Sequence, residues 1–226
     1  SGVQVHVEGS PLSVDAFVAE LSSKAPPLAR IESVAVFQRT VEGAERFIIE
    51  ESLPQPGVYQ LVSPDIATCA DCHRELFDPD NRRFGYPFTN CTNCGPRFTI
   101  IEDIPYDRPK TTMREFPMCP ECRAEYEDPT NRRFHAQPNA CPTCGPHLSL
   151  VDKNGLPLER ARQSAVGGDP EHITEASRLL KAGHILAIKG LGGFHLACDA
   201  TNATAVAELR RRKLRVDKPF ALMMLD

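Results

Sequence analysis

The sequence predicts a multi-domain α+β protein with two small metal-binding modules in its middle. Eight of its nine cysteines fall into two copies of one spacing, Cys-x2-Cys-x18-Cys-x2-Cys, and equivalent cysteines lie 50 positions apart. Short strand and helix patterns precede and follow these copies. The 20 prolines among 226 residues favour many loops and short elements. We therefore expect several small units in place of one large core.

Each copy of the cysteine pattern offers four soft ligands in two close pairs, the ligand set of a closed tetrahedral Zn²⁺ site. The tight turn of a Cys-x2-Cys pair lets two thiolates reach one ion, and the spacer lets a second pair complete the tetrahedron. The predicted ligands are Cys69, Cys72, Cys91 and Cys94 in the first copy and Cys119, Cys122, Cys141 and Cys144 in the second. We expect two structural Zn²⁺ ions, one per copy. A nested grouping, in which the outer pairs share one ion and the inner pairs the other, remains an alternative.

The duplication extends beyond the cysteines. Thirteen of 28 positions are identical when 69–96 is aligned with 119–146, including an Asn-Arg-Arg-Phe element and a Gly-Pro after each last cysteine. We expect Phe84 and Phe134 to form the small core of each module, with the arginines covering it. The alternative is that the arginines dock a partner.

Local signals predict the backbone inside each copy. The residues after the first cysteine pair, 74–77 and 124–127, favour a short helical turn that the following Asp-Pro ends. The glycines of the Gly-Pro elements, Gly95 and Gly145, are expected to adopt positive φ so that backbone amides turn toward sulfur.

Composition and charge limit the function classes. Hydrophobic residues make up 41% and charged residues 25% of the chain, which is ordinary for a globular protein. No run of 18 apolar residues and no basic-then-apolar N-terminus occurs, so neither a membrane span nor a secretory signal is predicted. Paired cysteines at this spacing favour metal in a reducing cytoplasm over four disulfides in a secreted protein. Between 69 and 146, ten Lys and Arg stand against twelve Asp and Glu, which disfavours binding of a phosphate backbone.

The first 52 residues predict a small α+β piece. Three strands are expected, at 3–7, 31–37 and 46–49, with a helix after the first. Ser13 is the expected cap of that helix, and its apolar stripe is Val14, Phe17, Val18 and Leu21. Residues 53–68 contain three prolines and a glycine, which is typical of a linker.

The last 60 residues predict two helices around a strand. The first helix is expected to be capped by Asp169 and to end near Gly183. A buried strand is expected at 185–188, a second helix at 202–214 and a further strand at 220–225. The predicted buried stripe of the first helix is Ile173, Ala176 and Leu180.

A glycine-rich segment directly follows the predicted strand and carries the candidate chemistry. Glycines in this position let backbone N–H groups approach an anionic ligand, and Lys189 adds a positive charge. The segment matches neither a P-loop nor a dinucleotide fingerprint. Three cations, Lys213, Arg215 and Lys218, lie at the end of the second helix and just beyond it. They bind phosphate only if they fold back onto the glycine segment, and a solvated helix face is the alternative for the neighbouring basic residues.

These motifs together resemble the HypF family of hydrogenase-maturation carbamoyltransferases. The doubled cysteine pattern with Asn-Arg-Arg-Phe and Cys-Gly-Pro resembles the paired zinc fingers of that family, and the stretch 188–196, Ile-Lys-Gly-Leu-Gly-Gly-Phe-His-Leu, resembles the opening of its YrdC-like nucleotide domain. The resemblance implies the C-terminal part of a ferredoxin-like acylphosphatase domain at 1–52, a linker at 53–68, four-cysteine zinc fingers at 69–96 and 119–146, and the N-terminal part of a YrdC-like α/β domain at 169–226.

The resemblance also implies a function for a longer parent protein in the cytoplasm. Its substrates are ATP and carbamoyl phosphate, which react by way of carbamoyl-adenylate, and its partner is a HypE-type protein whose C-terminal cysteine accepts the carbamoyl group. The implied nucleotide-binding residues are Lys189, Gly192, Gly193, His195, Lys213, Arg215 and Lys218. We expect the catalytic residues to lie outside this chain, so that the chain alone is inactive. The alternative function is a zinc-finger adaptor that binds protein or RNA.

Overall fold

The computed structural model describes residues 3–49, 65–158, 168–190, 192–215 and 217–224. It divides into two compact units, one made of 1–75 with 89–140 and the other of 76–88 with 141–226. Most of the predicted linker, 53–64, lies outside the described residues, as does the end of the predicted last strand at Leu225. Among the described residues no helix has both the length and the apolar character needed to span a membrane.

Helix α1, Pro11–Ser23, begins at a serine cap. The Oγ of Ser10 accepts a hydrogen bond from the backbone N–H of Ser13 at 3.2 Å, and Pro11 occupies the first helical position. The predicted cap was Ser13, so the helix is confirmed but starts three residues earlier. None of its residues is fully buried: Val14, Val18 and Leu21 of the predicted apolar stripe are half-buried, and Phe17 is exposed.

The three strands predicted before residue 50 do not form in the described residues 3–49. The described backbone there forms no ladder of inter-strand hydrogen bonds. The alternating valines are exposed to solvent: Val3 is 90% and Val5 57% exposed. The physical reason is that a helix satisfies its own backbone, whereas an extended segment becomes a strand only when another strand pairs with it.

The cysteine copies each contain one short helix, α2 at Ala70–Phe77 and α3 at Pro120–Glu127. Both start inside the first cysteine pair and end before the Asp-Pro, so the predicted helical turns are confirmed and are longer than expected. Gly95 has φ of 68°, as predicted, but Gly145 is not among the residues with positive φ. Its N–H donates instead to the carbonyl oxygen of Cys141 at 2.9 Å, which needs no special backbone conformation.

Short 3-10 turns complete the region around the copies. One of them, Thr92–Cys94, follows Cys91 directly and ends at Cys94, so it carries the second cysteine pair of the first copy at its two ends. The other three lie between the copies, at Phe98–Ile100, Arg108–Lys110 and Thr112–Glu115. This connecting segment is therefore structured, although no periodic pattern marks it in the sequence.

The last part of the chain contains helix α4, Gly168–Lys181, a two-stranded antiparallel sheet of β1, Leu186–Gly190, and β2, Gly193–Ala197, and helix α5, Ala203–Lys213. Both predicted helices form, but α4 begins at Gly168, so Asp169 lies inside the helix and is not its cap. Helix α4 ends before Gly183, which has φ of 85°, and Asn202 caps α5 by accepting the N–H of Ala205 at 3.0 Å.

Burial in this part of the chain departs from the prediction. The strand β1 forms but is not buried, since Ile188 is 49% exposed, and Ile173 of the predicted α4 stripe is 45% exposed. No strand forms among the described residues 217–224, where Met223 is fully exposed. A two-stranded sheet covers neither face by itself, so its apolar side chains stay accessible.

Candidate functional site

The first cysteine copy brings its four sulfur atoms together. Helix α2 supplies Cys72, the residue before it supplies Cys69, and the second cysteine pair comes from the 3-10 turn, with Cys91 just before it and Cys94 at its end. The Cys69 and Cys91 sulfurs are 3.6 Å apart, those of Cys91 and Cys94 are 3.9 Å apart, and all four lie within 4.8 Å of one another. Cys72, Cys91 and Cys94 are buried and pack together, with the half-buried Cys69 against them.

The second copy repeats this arrangement with Cys119, Cys122, Cys141 and Cys144. The sulfurs of Cys141 and Cys144 are 3.8 Å apart, and all four again lie within 4.8 Å of one another. The sulfurs are therefore grouped within each copy, and the nested alternative does not form. The ninth cysteine, Cys198, lies outside both groups.

Both groups fit zinc by a geometric test. Four sulfurs around an ion at a Zn–S distance of about 2.3 Å stand about 3.8 Å from one another in a tetrahedron. The distances of 3.6, 3.9 and 3.8 Å match this spacing. With four protein ligands and no open position, such a site supports folding and does not activate water. The two clusters therefore fit two structural Zn²⁺ ions.

Backbone N–H groups add to the environment of the sulfurs. The N–H of Cys69 donates to the Cys94 sulfur at 3.3 Å, and the N–H of Cys72 donates to the Cys69 sulfur at 3.5 Å. In the second copy the N–H of Thr143 donates to the Cys141 sulfur at 3.4 Å. Such bonds stabilise the negative charge that each thiolate keeps when it binds a metal.

A side chain of the second copy reaches the first sulfur group. The Nη1 of Arg132 donates to the Cys72 sulfur at 3.0 Å, and its Nη2 forms an ion pair with Glu75. The pKa of the Cys72 thiol lies well below its usual range, first because of the hydrogen bond with Cys91 and then because of Arg132, while burial acts in the opposite direction. Burial would raise the pKa of Glu75, but hydrogen bonds from Arg133 and Arg132 outweigh it and lower that pKa.

The neighbouring Arg133 is buried inside the finger region. Its side chain is 4% exposed, it forms an ion pair with Glu75, and its Nε donates to the carbonyl oxygen of Asn90 at 3.2 Å. In the first copy Arg83 is likewise buried, whereas Phe84 is 45% exposed. The prediction that phenylalanines form the core and arginines cover it is therefore wrong; burial of the Arg133 guanidinium is possible because Glu75 and the carbonyl of Asn90 accept its donors.

Sequence reasoning missed a further buried arginine between the copies. Arg108 is 9% exposed and its guanidinium donates to the carbonyl oxygens of Gln137, Asn139 and Phe116 at 2.6, 2.9 and 2.7 Å. The side chain of Asn139 in turn donates to the carbonyl oxygen of Cys122 at 2.9 Å. This network links the connecting segment to the second copy. Neither spacing nor periodicity marks Arg108 in the sequence.

The glycine segment forms the tight end of the β1–β2 hairpin. Gly190 pairs with Gly193, Gly192 has φ of 71°, and Gly193 has φ of 157°. The ring of His195 lies over Gly190, since a Cβ built on that glycine would stand 2.5 Å from the ring. Lys189 places its ammonium group 5.1 Å from the ring centre of Phe194. The predicted loop is therefore a hairpin turn with Gly192 and Gly193 at its end. Lys189, which pairs with Phe194, and His195, which pairs with Ile188, lie on opposite faces of this hairpin.

Lys213, which ends α5, forms a separate group with Arg215 and Lys218 just beyond it. The Nη2 of Arg215 donates to the carbonyl oxygen of Pro219 at 3.0 Å, and its guanidinium lies 5.6 Å from the ring centre of Phe220. Lys213 and Lys218 make no side-chain hydrogen bond or ion pair with another described residue. Between described residues, no such contact joins this group to the hairpin. The convergence of the two groups on one ligand stays a prediction.

Comparison with known protein families locates the finger pair. A family model described as "HypF finger" matches residues 68–101 and 118–151, and a model described as "Telomere recombination" matches 178–226. The finger model thus covers both cysteine clusters, and the second model covers the end of α4, the hairpin and α5.

The whole chain is similar to parts of longer proteins. It is 49% identical to carbamoyltransferase HypF2 of Cupriavidus necator across 100% of its own length and 27% of that protein, and 53% identical to carbamoyltransferase HypF of Rhodobacter capsulatus across 98% and 28%. The chain thus spans about a quarter of the length of these relatives.

Two solved structures share the fold. A full-length HypF described as phosphate- and nucleotide-bound matches 96% of this chain and 27% of its own, with a TM-score of 0.77 and 47% identity. HypF of T. kodakarensis matches 95% of this chain and 26% of its own, with a TM-score of 0.78 and 53% identity. The chain therefore belongs to the HypF family, in which it corresponds to a segment containing the zinc-finger pair.

Proposed function

We propose that this chain is part of a carbamoyltransferase that acts in the maturation of [NiFe] hydrogenase. The observation that carries the proposal is the identity of 49–53% with carbamoyltransferases HypF over essentially the whole chain. Under this proposal the two four-cysteine clusters are structural: they hold the region between two catalytic domains. Residues 1–52 belong to an acylphosphatase-like domain and residues 169–226 to a YrdC-like nucleotide domain.

The proposed reaction consumes carbamoyl phosphate and ATP. Hydrolysis of carbamoyl phosphate releases phosphate and carbamate, and a carbamate oxygen then attacks the α-phosphorus of ATP, which expels pyrophosphate and leaves carbamoyl-adenylate. A thiolate next attacks the carbamoyl carbon and expels AMP. The proposed acceptor is the C-terminal cysteine of a HypE-type protein. We assign none of the reacting groups to this chain.

We further propose that the hairpin and the cations at the end of α5 and just beyond it contribute to the ATP site. Support comes from the relative whose structure is described as phosphate- and nucleotide-bound and which matches 96% of this chain. The ammonium groups of Lys189, Lys213 and Lys218 have no anionic partner among the described residues, so a polyphosphate can take that role. Gly192 and Gly193 leave space for a ligand, since a Cβ built on either meets no atom within 4 Å.

Arg215 takes a different part in this proposal from the three lysines. Its guanidinium already donates to carbonyl oxygens of Lys218 and Pro219 and lies against Phe220. These contacts shape the segment that carries Lys218. Arg215 can add a contact to phosphate through its remaining donors, but its loss would also disturb the position of Lys218.

The test is carbamoyl-phosphate-dependent ATP–pyrophosphate exchange by a full-length HypF that carries this segment. A charge-assisted contact contributes about 1.5–3 kcal/mol, so Lys213→Ala should raise the ATP concentration for half-maximal exchange by about ten- to a hundredfold. Lys24→Ala removes a lysine from an exposed ion pair with Glu20 and serves as the control. Unchanged exchange in both Lys213→Ala and Arg215→Ala would overturn the site assignment, and no exchange in the unmodified protein would overturn the proposed reaction.

A further inference from the structure

We propose that Arg132 of the second copy is a positioning residue of the first metal site, where it holds the two cysteine pairs of that site together. The inference goes beyond the proposed function and rests only on the two four-cysteine clusters binding zinc. Arg132 belongs to the second copy, but it contacts the metal site of the first copy at Cys72, 60 residues earlier in the sequence.

The main chain of Arg132 binds the second cysteine pair of the first copy. Its carbonyl oxygen accepts two hydrogen bonds from Thr92, one from the backbone N–H at 3.0 Å and one from the hydroxyl at 2.9 Å. Thr92 lies between Cys91 and Cys94, at the start of the 3-10 turn. The position of this turn is therefore tied to the backbone of the second copy.

The side chain of Arg132 binds the first cysteine pair. Its Nη1 donates to the sulfur of Cys72 at 3.0 Å, and its Nη2 pairs with Glu75 one turn further along α2. A single residue thus contacts both halves of the sulfur group, with its carbonyl on one pair and its guanidinium on the other. The side chains of Arg132 and Glu75 are each only 22% exposed, so water screens these contacts weakly.

The charge of the metal site explains why an arginine suits this place. Four thiolates around one Zn²⁺ leave a net charge of −2, and the surrounding sulfurs of Cys72, Cys91 and Cys94 are fully buried. A guanidinium that donates to a thiolate offsets part of that charge and fixes the direction of the sulfur lone pairs. Loss of an outer partner of this kind typically weakens metal binding by about 10- to 100-fold.

The sequence makes this dependence unequal between the two copies. The residue equivalent to Thr92 is Pro142, which has neither a backbone N–H nor a hydroxyl. Pro142 therefore cannot make either of the two bonds that Thr92 makes with Arg132. We infer that the two bonds from Thr92 tie the first metal site to the second copy in a way that Pro142 cannot reproduce at the second site.

The test measures, in the zinc-loaded chain, how strongly each cysteine cluster is protected from alkylation. Cysteines are pulse-alkylated in the presence of a zinc chelator, and mass spectrometry of the digested protein reads Cys72 and Cys122 on different peptides. Arg132→Gln should increase the alkylation rate of Cys72 by about tenfold or more while leaving that of Cys122 unchanged. Arg132→Lys keeps the charge and one donor. Its alkylation rate at Cys72 should lie between the rates of the unmodified protein and of Arg132→Gln.

Arg123→Gln is the matched control, because Arg123 is 60% exposed and pairs only with Glu127 in the described contacts. It should leave both rates unchanged. The proposal is overturned if Arg132→Gln accelerates both clusters equally, since that would report general unfolding. It is also overturned if neither cluster responds, if only Cys122 responds, or if Arg123→Gln has the same effect as Arg132→Gln.

Discussion

Arg108 binds Gln137 from two sides: its backbone N–H donates to the Gln137 side-chain oxygen at 2.7 Å, and its Nη1 donates to the Gln137 carbonyl oxygen at 2.6 Å. The same side-chain oxygen accepts the hydroxyl of Tyr126 at 2.9 Å, so helix α3 joins the contact. A buried cation is costly unless its donors are satisfied. Here main-chain carbonyl oxygens satisfy them, and the connecting segment becomes part of the finger region.

Replacement of Arg108 by methionine should destabilise the finger region. The change keeps a similar volume but leaves the carbonyl oxygens of Gln137, Asn139 and Phe116 without their donor. We expect the free energy of unfolding of the zinc-loaded chain to fall by about 3 kcal/mol or more, measured by urea denaturation. Arg114→Met removes an exposed ion pair with Glu102 and should change stability by less than about 1 kcal/mol. Equal effects of the two substitutions would contradict the assigned role of Arg108.

Metal analysis should find two zinc ions per reduced chain. Structural zinc contributes roughly 10–16 kcal/mol of apparent binding free energy in finger peptides, so a strong chelator should unfold the region 69–146. Circular dichroism and amide exchange would measure this unfolding. Cys198→Ser should keep two ions, because Cys198 lies outside both sulfur groups, whereas Cys91→Ser should lower the content to about one. Two ions in the Cys91→Ser protein would show that the sulfur group around Cys91 is not the binding site.

Gly85 should resist substitution more strongly than Gly155. Both have positive φ, 65° and 81°, but a Cβ on Gly85 would stand 2.3 Å from a side-chain carbon of Pro170, while a Cβ on Gly155 meets nothing within 4 Å. Gly155→Ala should therefore cost only the backbone strain, about 1–2 kcal/mol. Gly85→Ala adds a steric clash and should cost about 1–3 kcal/mol more. Thermal unfolding of the two zinc-loaded variants measures the difference, and equal losses would rule out close packing at Gly85.

The carboxylate of Glu8 should titrate well below an ordinary glutamate. Backbone N–H groups of Glu42, Gly43 and Ala44 donate to it at 2.5, 2.9 and 3.0 Å. The bond from Glu42 is the largest cause, followed by the contact with His6, and the pKa of Glu8 falls from 4.5 to about 2. Because the folded-state pKa is depressed, the stabilisation is present above pH 4.5 and is lost as the pH falls toward 2.

An NMR titration of the Glu8 carboxyl carbon tests this prediction. The chemical shift should change with a midpoint near pH 2, and the amide shifts of residues 42–44 should change with it. In the Glu8→Gln protein, which cannot ionise at this position, those amide shifts should lose the transition. A midpoint near 4.5 would mean that the three N–H groups do not bind the carboxylate in solution.

The sequence predicted those features that depend on local spacing. The cysteine grouping follows from two tight turns and a short spacer, and helices form where α4 and α5 were predicted, although Asp169, the expected cap of α4, lies inside that helix. The positions of the arginines could not be predicted in the same way. Arg133 meets Asn90 and Glu75, which lie 43 and 58 residues earlier, and nothing in an Asn-Arg-Arg-Phe element specifies so distant an acceptor. The internal duplication instead suggested two self-contained cores, each built on its own phenylalanine.

The strand predictions in residues 3–49 failed for the same reason, namely that they depend on partners distant in sequence. Alternation of Val3, Val5 and Val7 indicates which side chains would share one face of a strand, but it does not supply the neighbouring strand. Helix α1 forms in the same segment because a serine cap and a proline at its start need no partner elsewhere in the chain. Residues whose structure depends on distant pairing are therefore those for which the predictions failed.

Substitutions of Gly190 and His195 in the hairpin should have coupled effects. A Cβ on Gly190 would stand 2.5 and 2.7 Å from two ring atoms of His195, so Gly190→Ala must displace that ring. In His195→Ala the ring is absent, and a methyl group at position 190 then meets no obstacle from it. The effects of the two substitutions should therefore not add: the double variant should resemble His195→Ala alone, with a coupling free energy of about 1 kcal/mol.

Two measurements test this coupling: hairpin stability from amide exchange, and ATP affinity in a full-length HypF carrying this segment. If stability shows the coupling and ATP affinity does not, His195 packs the hairpin without lining the nucleotide site; additive effects in both measurements would mean that the ring does not lie over Gly190.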